Sequence, residues 1–279
     1  MAKNILVSPV VKWVGGKRQL LDKILPLIPK HSTYVEPFVG GAAVLFELQP
    51  TKAIINDYNH ELINVYKIIK SNPEELINTL EKHRELNTKE YFYEIRSLDR
   101  DPSFNTLTDI EKAARIIYLN KTCFNGLYRV NLSGQFNTPY GKYKNPNIVN
   151  ASTIRAVSKY FNKDTIKILS GDYKDSLKGL RKGAFVYFDP PYVPISTSSS
   201  FTGYTEGGFS LKNQEELKEQ CDKLNARGIN FLLSNSDCEF IRELYKDYNI
   251  ITVKAKRNIN RNGSDRGEIN EVLVMNYEL

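Results

Sequence analysis

Residues 186 to 195 read VYFDPPYVPI, an apolar run that stops on a carboxylate, two prolines and a tyrosine. Neither proline can donate a backbone hydrogen bond or continue a sheet interior, so a buried strand must end at Asp189 on a rigid corner. At the carboxyl end of a parallel strand such a corner faces a ligand crevice. There the Asp189 carboxylate could accept one N–H, and the Pro190 carbonyl, fixed by the ring of Pro191, a second. Tyr192 offers a flat face to a planar ring. Together they describe a grip on an exocyclic amino group of an aromatic base. Such an amine is a poor nucleophile, because its lone pair is delocalised into the ring. Two acceptors on its hydrogens favour a pyramidal nitrogen and stabilise charge where it develops in the transition state. A methyl carried by a sulfonium would then need only alignment at about 3–3.5 Å. A strand ended by prolines and a capping aspartate accounts for any one of these residues, and less well for all four.

Two further stretches carry ligand-binding residue types. EPFVGGAAVLFEL, from Glu36, follows a strand pattern and opens a helix. Gly40 and Gly41 allow close backbone approach, and the helix start supplies free N–H groups. The glycine pair alone reads as a tight turn. With Asp57 at the end of the next strand, placed to accept from ribose hydroxyls, an adenosine-type ligand becomes the better reading. The dinucleotide pattern G-x-G-x-x-G is absent, as is a P-loop: VGGKRQ has no G-x-x-x-x-G-K-[ST]. VKWVGGKRQLLDKI holds the single tryptophan, Trp13, beside Lys17. An aromatic face with a carboxylate partner suits a small zwitterion, but by itself the stretch reads more readily as a core tryptophan before a solvated helix start.

Residues 124 to 144, FNGLYRVNLSGQFNTPYGKYK, interleave Phe124, Tyr128, Phe136, Tyr140 and Tyr143 with Arg129, Lys142 and Lys144. Aromatics that wedge at a base step and cations that meet phosphates fit a DNA-reading segment, with Arg129 bidentate to a guanine. A glycine-punctuated hairpin with aromatic packing fits these residues about equally. Between the last strands, Lys254, Lys256, Arg257, Arg261 and Arg266 form a basic loop, by default solvated and otherwise a phosphate contact. VPISTSSSFTGYTEGGF, after Tyr192, suits a mobile lid or an ordinary flexible loop.

DPPY resembles the catalytic motif of amino-methyltransferases that use S-adenosylmethionine. With KWVGGKRQLL, YVEPFVGGAAVLF, INDYN and FNGLYRVNLSGQFNTPYGKY, the sequence is similar to the Dam family of N6-adenine DNA methyltransferases, across essentially the whole chain. The resemblance implies that Asp189, Pro190, Pro191 and Tyr192 are catalytic. It places Trp13, Lys17, Glu36, Pro37, Phe38, Gly40, Asp57, Asp172 and Asp189 around S-adenosylmethionine, with S-adenosylhomocysteine as product. It assigns Lys12, Phe124, Asn125, Leu127, Arg129, Pro139 and Lys142 to double-stranded DNA, with GATC as the site and the target adenine flipped out. No metal is implied. A cognate restriction endonuclease is a possible functional partner. One departure is Ala42, where the family often has glycine.

These residues need a frame. Short apolar strands (33–38, 52–57, 166–169, 184–189, 229–236) alternate with amphipathic helices, which predicts an α/β, Rossmann-like methyltransferase sheet, mostly parallel. Residues 248–255 and 270–279 predict two closing strands with an antiparallel edge. Between about 60 and 161 helical patterns dominate and no buried strand is apparent. The predicted organisation is therefore a catalytic domain from 1–59 and 162–279, interrupted by a mainly helical DNA-recognition insert at 60–161. The chain has 279 residues, 39 Lys and Arg against 32 Asp and Glu, and no apolar run of membrane-spanning length. The basic balance is compatible with nucleic acid without proving it. Three separated cysteines and three histidines show no metal-ligand spacing and suit reduced thiols in the cytoplasm. N4-cytosine methylation shares the same amino-group logic, and a non-catalytic DNA binder, or an RNA or glutamine substrate, are further alternatives. C5-cytosine chemistry is disfavoured, because no cysteine follows the proline typical of it.

Overall fold

The computed structural model describes residues 3–163, 165–194, 209–256 and 268–278. The aliphatic runs become strands: β1 (Thr33–Glu36), β2 (Ala53–Ile55), β3 (Ile166–Ile168), β4 (Ala184–Phe188) and β5 (Asn230–Ser236) are parallel. β6 (Asn249–Lys256) and β7 (Glu268–Met275) complete a seven-stranded sheet in the order β3-β2-β1-β4-β5-β7-β6. The antiparallel edge forms, but the last strand in sequence is not the outermost one. β7 is antiparallel to both β5 and β6. Residues 271–275 of β7 are all buried, whereas β6 alternates buried Val253 and Ala255 with exposed Thr252 and Lys254. The strand able to bury both faces takes the interior, and the one with a polar side takes the edge.

Side chains alternate across the sheet, and each face has its own cover. Tyr34, Ile55, Phe185, Tyr187, Leu232 and Leu273 belong to one core. Val35, Val186, Phe188, Phe231, Leu233 and Val272 belong to another, with α8 (Leu211–Ala226) and α9 (Glu239–Leu244). The first core also takes in α1 (Leu21–Ile24), α2 (Ala43–Leu48) and the helical stretch α3 (His60–Ser71), α4 (Pro73–Glu85), α5 (Lys89–Ser97), α6 (Asp109–Thr122) and α7 (Ala151–Phe161). Among these helices, α3, α6 and α7 start where their sequences supply a cap. Asn59 accepts from Leu62 N–H, Asn150 accepts from Thr153 N–H, and Thr108 with Glu111 forms a capping box. Contacts among the rings of Phe46, Tyr66 and Phe161 lock α2, α3 and α7 together over the sheet. Among the described residues, no helix is long and apolar enough to cross a membrane.

Candidate active site

The strand ends converge on one rim. Val35 pairs with Val186 and Glu36 with Ile55. Asp57 lies two residues beyond Ile55 and Asp189 two beyond Tyr187, so Glu36, Asp57 and Asp189 emerge on one face of adjacent strands. Lys17 reaches over this face from a short 3₁₀ turn, Lys17–Leu20. Its ammonium is 2.7 Å from Asp189 Oδ1, donates to the Gly15 carbonyl at 2.8 Å, and lies 4.6 Å from the centre of the Tyr192 ring. Ser234 Oγ, on β5, donates to the same Oδ1 at 2.8 Å. Among the described residues no hydrogen bond engages Asp189 Oδ2 or the Pro190 carbonyl. Tyr192 is oriented from its far end, its hydroxyl donating to Glu271 Oε2 on β7 at 2.7 Å. Burial, then the charge of Asp189, pushes the Tyr192 hydroxyl well above its usual range, so it stays a donor.

The glycine turn is held by Asp57. Gly40 N–H donates to Asp57 Oδ2 and Asn59 N–H to Oδ1, both at 2.9 Å. Asp57 thus shapes the loop. Gly40 has φ +47°, and a Cβ there would come within 3.0 Å of Trp13 Cδ1, so the tryptophan roofs the turn. Ala42 also adopts left-handed geometry, φ 58° and ψ 32°, at the start of α2. The departure from glycine therefore costs about 1–2 kcal/mol of backbone strain rather than closing the pocket. Asn56, buried, ties three strand ends together. Its Nδ2 donates to the Pro37 carbonyl at 3.1 Å and the Gly171 carbonyl at 2.9 Å. Its Oδ1 is buried without a hydrogen-bond partner among the described residues. Phe38 stacks on Tyr173 at 5.0 Å, and Phe209 meets it edge-on. Asp172 is exposed on the same rim and caps the turn after it.

Trp13, Lys17, Glu36, Gly40 and Asp189 line one narrow cavity, whereas Pro37, Phe38, Asp57 and Asp172 are not among its lining residues. Its electrostatics are acidic. Burial pushes the Glu36 carboxyl well above its ordinary range; the Tyr34 hydroxyl opposes this, and the charges of Asp189 and Asp57 add to it. Burial also raises Asp57, against the backbone N–H groups that bind it. Lys17 is the cation that the described residues bring to these acids.

The segment from Phe124 to Lys144 is a hairpin-like excursion with bridges at Cys123–Tyr140 and Val130–Phe136. Its aromatics divide. Tyr128 and Phe136 are buried, and Tyr140 packs on Phe92, whereas Phe124 and Tyr143 are exposed. Tyr128 and Phe136 are therefore packing residues and cannot wedge into DNA as they stand. Asn125 and Lys142 are exposed in left-handed conformations, φ 57° and 54°. Pro139 is exposed and its carbonyl accepts from Phe124 N–H at 2.8 Å. Leu127 is half-buried. Half-buried Arg129 is held by Asn137, through Oδ1 at 2.5 Å and the carbonyl at 3.1 Å. Lys12 joins this region through Asn120, whose amide clasps both backbone groups of Lys12 at 2.8 Å and donates to the Gly126 carbonyl at 3.0 Å. Burial, then the nearby charges of Lys12 and Arg18, pull Lys121 down to about 8, which marks a cationic cluster. Most of the expected lid (195–208) and basic loop (257–267, with Arg257, Arg261 and Arg266) lies outside the described residues.

Sequence reading missed Ser234, Glu271, Asn56, Asn120 and Lys121. The one available signal was the polar end of LLSNS, odd for a strand buried on both sides.

A parallel sheet with acids at the ends of β1, β2 and β4 and a DPPY corner defines a Rossmann-like methyltransferase. Residues 13–259 match the family of D12 class N6 adenine-specific DNA methyltransferases, and the chain belongs to that family. It is 49% identical to "Type II methyltransferase M1.LlaDCHI" of Lactococcus lactis subsp. cremoris, covering 99% of this chain and 98% of that protein. It is 42% identical to "Type II methyltransferase M.MjaIII" of Methanocaldococcus jannaschii, covering 97% and 99%. Against "DNA adenine methylase" of Escherichia coli K12 the identity is 35%, covering 95% and 94%. The chain is an adenine-specific DNA methyltransferase.

Proposed function

We propose that the chain transfers a methyl group from S-adenosylmethionine to N6 of adenine in GATC sites of double-stranded DNA, with the target base swung out of the duplex. The observation that carries this reading is the pair of free acceptors at one corner, Asp189 Oδ2 and the Pro190 carbonyl, beside the Tyr192 ring. The methyl donor fits the rim. A molecule with a sulfonium and an ammonium meets three carboxyls and one lysine, and Gly40 allows close approach. Bound there, it supplies an electrophilic methyl group. Glu36, Pro37, Phe38 and Gly40 would surround its amino-acid end, with Trp13 and Lys17 above. Asp57 and Asp172 would face its ribose and adenine. S-adenosylhomocysteine, with one positive charge fewer, would be held less well by the same acids.

Asp189 Oδ2 and the Pro190 carbonyl accept the two amine hydrogens, Tyr192 stacks on the base, and Pro191 keeps the corner rigid. As the nitrogen takes the methyl from the sulfonium and the S–C bond breaks, one amine proton is lost, and Asp189 Oδ2 would accept it. The insert at 60–161 would read the duplex. Phe124, Asn125, Leu127, Pro139 and Lys12 would meet bases near the flipped adenine, Arg129 a guanine, and Lys142 and Lys121 phosphates. Two relatives named type II methyltransferases support a partnership with a cognate restriction endonuclease. A cysteine-based attack on cytosine C5 is opposed by Cys123, buried and pushed up to about 12 by desolvation, and by Cys221, also buried and raised.

The test is incubation of plasmid with cofactor, then challenge with a nuclease blocked by adenine methylation in GATC, with mass identification of the methylated nucleoside. Protection and N6-methyladenine are the expected results. Complete cutting would overturn the GATC assignment, and N4-methylcytosine would overturn the base.

A further inference from the structure

Three buried neutral side chains surround the proline corner. Gln214, in the first turn of α8, and Asn235, near the end of β5, are both 0% exposed, and Ser236 is 4% exposed. Gln214 Nε2 donates to the Pro191 carbonyl at 2.8 Å, and its Oε1 accepts from Asn235 Nδ2 at 3.0 Å. Asn235 Oδ1 accepts from the N–H groups of Val193, at 3.2 Å, and Ser236, at 2.8 Å. Ser236 Oγ donates to the Val193 carbonyl at 2.6 Å.

The direction of every bond is forced by the backbone. The N–H groups of Val193 and Ser236 can only donate, so the Asn235 atom facing them is its oxygen. Its nitrogen must then donate, which turns Gln214 Oε1 toward it and leaves Gln214 Nε2 for the Pro191 carbonyl, which can only accept. The network has one polarity and no amide within it can flip without setting like groups together.

Pro190 has no N–H, and its carbonyl is not bonded among the described residues. The rings of Pro190 and Pro191 already narrow the orientation of that carbonyl, and the hydrogen bonds that steady it lie from Pro191 onward. The ring of Pro191 locks φ at about −65°, so only the ψ angle of Pro191 separates the Pro190 carbonyl from the Pro191 carbonyl that Gln214 holds. Holding the Pro191 carbonyl and both backbone groups of Val193 restricts the positions open to Pro191, and with them the swing of the Pro190 carbonyl about that ψ.

We propose that Gln214, acting with Asn235, is a positioning residue that aims the Pro190 carbonyl at the amino group of the target base. The proposal rests on the function proposed above, in which that carbonyl is an acceptor in the transition state. A misaimed acceptor leaves substrate binding intact and weakens the interaction that strengthens as the nitrogen becomes pyramidal.

The test uses the full chain with Gln214→Glu, which sets an acceptor against the Pro191 carbonyl, and Gln214→Met, which keeps the volume and removes both bonds. Ser236→Ala is a milder variant that removes one link, should either of these fail to fold. In single-turnover transfer to a GATC duplex, both Gln214 variants should lose about tenfold to 100-fold in rate, and Ser236→Ala a few-fold. The KM for DNA and the affinity for S-adenosylhomocysteine should stay within about twofold of wild type. Deuterium exchange at the Val193 amide should accelerate in parallel. A merely structural role would lower the melting temperature and leave the rate of the folded fraction unchanged; that result, with unchanged Val193 exchange, overturns the proposal. The same rate loss on a product other than N6-methyladenine would sustain the positioning role and overturn the substrate assignment.

Discussion

The proline corner and the hairpin at 124–144 are both secured by buried polar contacts, and by opposite chemistry. Asp189 and Tyr192 meet Lys17 and Glu271, but the backbone that follows the corner, at Pro191 and Val193, is held by the neutral amides of Gln214 and Asn235, whose donors and acceptors are matched. The hairpin is anchored by charge. Arg115, about 2% exposed, lies 2.7 Å from Asp99 Oδ2 and 3.8 Å from Glu61 Oε1, and donates to the carbonyls of Ile95 and Arg96. Asp99 in turn accepts Phe136 N–H at 2.7 Å, Arg100 donates to the Phe136 carbonyl at 2.8 Å, and Glu61 accepts the Tyr128 hydroxyl at 2.6 Å. A neutral network fixes direction and does not respond to pH near neutrality. A charged anchor binds more firmly but carries a desolvation cost that appears in full when one partner is removed.

The comparison breaks most sharply at Arg115. Arg115→Met leaves Asp99 with Arg100 as its cation and strips the Ile95 and Arg96 carbonyls of their buried donor, and should destabilise the protein by about 3–4 kcal/mol, read from the urea midpoint. A loss below about 1 kcal/mol would mean that the Ile95 and Arg96 carbonyls find other donors or water.

Acid should act next on the helices that carry the hairpin. His83, on α4, stacks on Tyr118 at 4.9 Å and pairs with the Tyr91 hydroxyl at 2.8 Å, and burial pulls it from 6.5 to about 4. Between those values the unfolded chain holds a proton that the folded chain refuses. The stability contribution is therefore complete above about pH 6.5 and is lost as the pH falls toward 4. The loss should be on the order of 3 kcal/mol across that window. Urea unfolding of His83→Gln at several pH values should give a flatter profile than wild type; parallel profiles would contradict the assignment.

The smallest effect should come from Tyr128→Phe. It removes the bond to Glu61 and retains the ring stacked on Trp13 at 4.7 Å. We expect a loss of about 1–2 kcal/mol in thermal unfolding. Because Trp13 is the single tryptophan, its emission reports the stack directly and should be unchanged. A shifted spectrum would show that Glu61 positions the ring.

The same contrast explains what the sequence could reveal. Parallel strands buried on both faces announce themselves as aliphatic runs, and a carboxylate that ends such a run stands out, so the place of Asp57 and Asp189 at neighbouring strand ends was legible. Tyr128 and Phe136 were not distinguishable from Phe124, because an aromatic residue in a polar hairpin carries no mark of the side it faces. Gln214 and Asn235 lie on different elements and meet only when α8 packs on the sheet. The interior place of β7 stems from burial on both faces, visible only against its neighbours.

The most direct test of the corner's chemistry is the single-turnover rate of methyl transfer by Asp189→Asn. Ser234 and Lys17 both address Oδ1. The new amide would therefore keep its oxygen there and place a donor where Oδ2 should accept. With cofactor still bound, the rate should fall by about 10²–10³. A rate close to wild type would contradict the role of Asp189 as acceptor for the amino group.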